Sequence, residues 1–164
     1  VTYGSTILRA IAQRTGFNLE HIQHTARHIV QSGNSPTDLS KAVALLLLAL
    51  PIEAKPQEVA AVATYYFNLS ADGYGTAGEL IADMLDSFIS QAHTEFSAWA
   101  YRSRVEVYAT ATPAVTITTP CTDAPFVIEY ATEKWHNATV RHSNILSGKA
   151  LFDIAADISM KAAA

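Results

Sequence analysis

Over the first fifty residues the apolar positions return every three or four places, and beyond residue 102 they alternate one by one. The first rhythm is that of a helix with one buried face, the second that of a strand. Within residues 5–15, Ile7, Leu8 and Ile11 mark a helix that Gly16 stops. Asn18 is a good capping side chain, and after it Leu19, Ile22, Ala26, Ile29 and Val30 share a face until Gly33. Ser35-Pro36-Thr37-Asp38 offers a cap, a proline at the first helical position and an acid in the first turn, so a third helix is expected from there to Leu50, where Pro51 closes it. Its run over residues 42–50 has no polar side. Residues 45–48 therefore need apolar cover all round, from the rest of the chain or from a second copy.

A fourth helix is expected from Pro56 to about Phe67, then a loop rich in Gly, Asp and Asn over residues 68–75. Thr76-Ala77-Gly78-Glu79 reads as a capping box opening a helix with an apolar stripe of Leu80, Ile81, Met84, Leu85, Phe88 and Ile89, opposite Glu79, Asp83 and Asp86. That helix is expected to reach toward Trp99. Four short strands follow, over residues 104–110, 114–119, 126–131 and 137–142, spaced as in an antiparallel meander. A last helix, capped by Ser147, would cover one face of the sheet with Leu151, Ile154, Ala155 and Ile158. The fold class predicted is α+β: a helical head over residues 1–70, and over 71–164 a body in which helices cover an antiparallel sheet.

Composition narrows the function classes. With 49% hydrophobic and 16% charged residues the 164-residue chain is built to fold, not to stay disordered. No apolar run approaches the ~20 residues of a membrane-spanning helix. One cysteine, Cys121, rules out an intramolecular disulfide and a thiolate-rich metal site. With no basic, apolar leader, a cytoplasmic location is expected. The net charge of −4 argues against a general polyanion binder. Its distribution changes that picture: residues 1–50 carry Arg9, Arg14, Arg27 and Lys41 against Glu20 and Asp38, a net +2, while the remainder holds seven basic and thirteen acidic side chains, a net −6.

Two helices joined by Thr15-Gly16-Phe17-Asn18, the second followed by a glycine-bearing turn, have the layout of a helix-turn-helix. The face opposite Leu19, Ile22, Ala26 and Ile29 carries His21, His24, Thr25, Arg27, His28 and Gln31, side chains that can donate to phosphates and base edges. Its bland alternative is a solvated helix face. The string Ile7-Leu8-Arg9-Ala10-Ile11-Ala12-Gln13-Arg14-Thr15-Gly16-Phe17-Asn18, with Ile22, Ala26-Arg27-His28-Ile29, Gly33 and Pro36, resembles the start of small helix-turn-helix proteins encoded by phages and prophages of bacteria. That resemblance, over residues 5–50, implies a regulator or packaging-related binder of double-stranded DNA with residues 18–32 as recognition helix. It departs from the pattern where a basic, glycine-rich loop is expected and Asn34-Ser35-Pro36-Thr37-Asp38 stands instead. DNA-binding heads commonly work as symmetric pairs, so a homodimer is expected.

Other motifs point less far. His21, His24 and His28 sit at helical spacing, His24 and His28 being the better pair, but no carboxylate or thiolate is placed to complete a site, so no metal is expected. Gly73-Tyr74-Gly75-Thr76-Ala77-Gly78 is a literal G-x-G-x-x-G, yet polar residues and a helix precede it where a dinucleotide site needs a buried strand; a turn and a helix start are the expected reading. No nucleophile elbow, Walker loop or H-E-x-x-H is present, and carboxylate pairs such as Glu129/Glu133 or Asp153/Asp157 lack a distinguishing pattern. The chain is read as a DNA-binding protein, not an enzyme, with no cofactor. A rival reading is a protein-interaction module, a phage-encoded inhibitor or adaptor whose acidic body meets a basic partner.

Overall fold

The computed structural model describes residues 3–91, 93–109, 112–132, 135 and 143–162. In chain order the elements are α1 (Ser5–Thr15), α2 (Leu19–Gln31), α3 (Leu39–Ala49), α4 (Val59–Phe67), α5 (Ala77–Ile89), α6 (Glu95–Arg102), β1 (Arg104–Tyr108), β2 (Ala114–Thr119), β3 (Phe126–Ala131), β4 (Ser143–Ser147) and α7 (Gly148–Ala162). The α+β class is as the two rhythms predicted.

The apolar helix α3 lies at the centre. Every residue from 42 to 50 is at most 3% exposed, enclosed by α2, α4 and α5 and, at Leu47 and Leu48, by Val105 and Val107 of the sheet. The chain's own elements thus supply the cover that residues 45–48 require, with no second copy. α3 starts at Asp38, whose carboxylate accepts the Lys41 amide at 2.9 Å, three residues after the predicted start. Tyr3 donates its hydroxyl to the Ala42 carbonyl at 2.6 Å and ties the first residues to this helix. Burial pushes that hydroxyl up to about 12, so it stays a donor through the neutral range.

The sheet is antiparallel with order β3-β2-β1-β4, not the predicted meander. β4 pairs with β1, so among the described residues β3 and β4 form its two edges. Val105 lies between Ile117 and Leu146, and Ile117 faces Ile128; Val107 faces Val115, which faces Tyr130. That row packs on the helices. β2 is buried on its other face as well, at Ala114, Thr116 and Thr118, and there Trp135 lies against Tyr108 with ring centroids 4.5 Å apart. The expected strand over 137–142 falls outside the described residues.

Three further corrections concern helices. The stripe of α5 ends at Ile89, and a second helix, α6, begins at Thr94 with a reciprocal cap between Thr94 and Ser97. Gln91, at a left-handed φ of 54°, makes the break. α4 starts at Val59, after a turn at residues 56–58. α7 is capped by Ser147 as expected, through the Ala150 amide at 3.0 Å, but it packs mainly against α1 and α5. Its beginning reaches the sheet, Leu151 lying beside Val105, Val107 and Leu146. Arg14 of α1 fastens it from outside, its Nε 3.1 Å from Asp157.

One cluster of buried side chains runs from Ile11 through α3 to Ile158, through both the 1–70 and the 71–164 segments. No described helix is long and apolar enough to cross a membrane.

Candidate functional site

Helix α2 is positioned by its two ends and by its buried side. Gly16 closes α1 in the left-handed region at φ 75°, and the Asn18 side chain accepts the Glu20 amide at 2.8 Å to start α2. Ile22, Ala26 and Ile29 lock one face into the core. The opposite face stays open: Glu20, His21, Gln23, His24, Arg27 and Gln31 are all exposed, and so is Val30, which the spacing places on the buried side but which lies at its border, 37% exposed.

The predicted site residues do not all behave alike. Arg27 and Gln31 are exposed, and with His24 they fall at steps of three and four, which puts them in one row along the helix. His28 is half-buried, and its Nε2 lies 3.1 Å from Nε2 of His24 with the two rings edge to face. His21 is exposed but occupied, its Nε2 3.0 Å from the Leu50 carbonyl at the end of α3. Thr25 is turned inward at 3% exposure, between Ile22 and Ile29, and is not part of the outward face. Its burial is tolerated because the hydroxyl donates to the His21 carbonyl at 2.9 Å, four residues back. Sequence reasoning missed Gln23, which stands one turn before Arg27 and extends the row; its spacing was the available signal.

The electrostatics of the row are mixed. Glu20 brings an acid to its N-terminal end, where it favours the helix dipole but not a phosphate. Arg14 is partly neutralised by Asp157 and Asp153. Arg9 and Lys41 are exposed cations on α1 and α3. The turn after α2 is polar, with Ser32 donating its hydroxyl to the Ile29 carbonyl at 2.6 Å and accepting the Asn34 amide at 3.2 Å.

The remaining motifs resolve into architecture. The glycine-rich segment is a tight turn: Ser70 pairs with Thr76, and the Ala71 amide donates to the Gly75 carbonyl at 3.1 Å. Gly73 and Gly75 hold positive φ there. A Cβ on Gly78 would come within 2.1 Å of the Phe67 ring, so this glycine lets α5 approach α4. The segment before the turn is helical, so no dinucleotide-type strand leads into it. Asp153 and Asp157 bind Arg14 and Lys149. Among the described residues no three His, Cys, Asp or Glu side chains gather as metal ligands, so His24 and His28 offer two of the four ligands usual for a structural zinc.

No known protein family, curated protein or solved structure matches the chain.

Proposed function

We propose that α2 is a DNA-reading helix, with His24, Arg27 and Gln31 as its central contacts and His21, Gln23 and His28 flanking them. The observation that carries this reading is the exposure of the whole row while the other side of α2 is anchored in the core. A helix so held is a rigid convex ridge, the shape that enters a major groove, and Arg and Gln are base and phosphate readers. On this reading the chain is a phage-type regulator or packaging-related protein, acting in the cytoplasm where bacterial DNA lies. Two copies bind together, because a segment with a net charge of +2 is a weak anchor by itself.

The test is titration of a labelled duplex with the wild-type chain and with Arg27→Ala and Gln31→Ala. Each substitution is expected to weaken binding about tenfold with unchanged circular dichroism, and the stoichiometry is expected to be two chains per duplex. Affinity unaltered by both substitutions would remove the assignment of α2.

A second reading, the interaction module, draws on the exposed acids of α5. Glu79, Asp83 and Asp86 share its outer side. Partial burial first, then the neighbouring Asp86 and Glu79, push the Asp83 carboxyl above its usual range. A basic partner laid on this side would relieve that crowding.

A further inference from the structure

The end of α5, the length of α6 and α7 from Phe152 onward line an open groove of about 930 Å³, within the ~300–1,000 Å³ of sites that take small molecules. Its apolar surface is built around Phe152, whose ring meets Phe88 edge-on at 5.4 Å and Tyr101 at 5.5 Å. Met160 extends it along α7 and is 73% exposed. Large apolar side chains gathered at an open groove mark an interaction site more strongly than the same residues scattered.

The polar groups of the groove specify what it takes. Among the described residues its ionisable lining is Arg102 and His93, at opposite ends of α6, with Tyr101 beside Arg102, and includes no carboxylate. The cations on either side of α7's first turns are matched, Arg14 by Asp157 and Lys149 by Asp153. Arg102 has no acidic partner among the described residues. A guanidinium keeps its charge at every working pH and is shaped to hold a carboxylate through two parallel hydrogen bonds. The Ser159 hydroxyl, in the wall of the same groove, is buried with no hydrogen-bond partner among the described residues, a state native proteins seldom leave unexplained.

We infer that this groove binds a small amphipathic anion, an apolar chain or ring ending in a carboxylate, with the apolar part along Phe88, Phe152 and Met160 and the carboxylate on Arg102. The site lies on α5, α6 and α7 and is independent of the DNA-reading proposal.

The test uses two probes with the same tail and opposite heads, dodecanoate and dodecyltrimethylammonium, each titrated calorimetrically into the full chain below its micelle concentration. Backbone amide shifts locate the contact. Dodecanoate is expected to bind at one site with shifts confined to α5, α6 and α7, and Arg102→Glu to weaken it by at least about tenfold. Ala156→Trp, which fills the groove, is expected to abolish binding while circular dichroism stays unchanged. Equal affinity for the two heads would show an unselective greasy surface and overturn the inference. So would an Arg102→Glu variant that binds dodecanoate undiminished, or no binding at all. Binding lost as protein concentration rises, together with a doubled mass, would assign the groove to a second copy and overturn it too.

Discussion

Gly148→Ala is expected to destabilise the protein by about 3 kcal/mol or more, at the upper end of what overpacking does. A Cβ at this position would lie 2.0 Å from the Ala100 carbonyl oxygen, 2.5 Å from that of Tyr101 and 2.8 Å from that of Ser103. These are backbone atoms at the end of α6 and just beyond it, so no side chain can swing aside. The crossing is also a bonded one: the Gly148 amide donates to the Ser103 carbonyl at 2.6 Å. Pushing the strands of chain apart would break that bond and pull β4 and α7 off their supports together. Urea unfolding of Gly148→Ala beside Gly4→Ala is the check, because nothing lies within 4 Å of a Cβ on Gly4; that control is expected to lose about 1 kcal/mol or less, since Gly4 caps α1 and alanine is a poorer cap than glycine. Similar midpoints for the two variants would contradict the close crossing.

Leu46→Ala comes next, with an expected loss of about 2–5 kcal/mol. Leu46 is fully buried in the middle of α3, where α4 and α5 pack on its helix. Removing its side chain leaves a hole that those helices cannot all close at once, so the cavity adds to the lost transfer energy. Lys41→Ala, five residues earlier on the same helix but exposed, serves as comparison and is expected to change stability within about 0.5 kcal/mol. Denaturant midpoints of the two variants decide the matter. A small loss for Leu46→Ala would mean that α3 is not the enclosed centre of the fold.

Much of this architecture is legible in local chemistry. Asn18 caps α2 as its residue type indicates, Thr76 caps α5 where its spacing to Glu79 indicates, and β2 and β3 span the β-branched and aromatic runs 114–119 and 126–131. What stays hidden depends on contacts distant in sequence. β4 has only Ile145 and Leu146 as apolar residues and, among the described residues, is paired on one side alone, so it lacks the alternation of an enclosed strand. The order of the strands is a matter of long-range pairing, on which the 104–131 pattern is silent. At the start of α3 two capping candidates stand three residues apart, Ser35 and Asp38, and local rules do not choose between them. The split between α5 and α6 has a cap signal in Thr94 and Ser97, but the left-handed residue is Gln91, with no glycine to announce it.

The candidate site was legible to the same degree. Helical spacing separates the buried from the exposed side of α2, which places His24, Arg27 and Gln31 outside. It does not resolve the border between the two sides, where Thr25 turns in, His28 is half-covered and Gln23 turns out. Nor could it foresee that the Leu50 carbonyl occupies His21, or that α5, α6 and α7 meet around a groove.

The measurement closest to the proposed function is the affinity of the full chain for a labelled duplex across a range of salt concentrations, read by fluorescence anisotropy. Saturable binding at low ionic strength is expected, with the logarithm of affinity falling linearly with that of salt as counterions are released. The slope should shrink by about one when Arg27 is replaced by Ala, if that guanidinium meets a phosphate. A duplex left unbound by the wild-type chain at low ionic strength, or bound with an affinity indifferent to salt, would contradict the assignment of α2 as a DNA-reading helix.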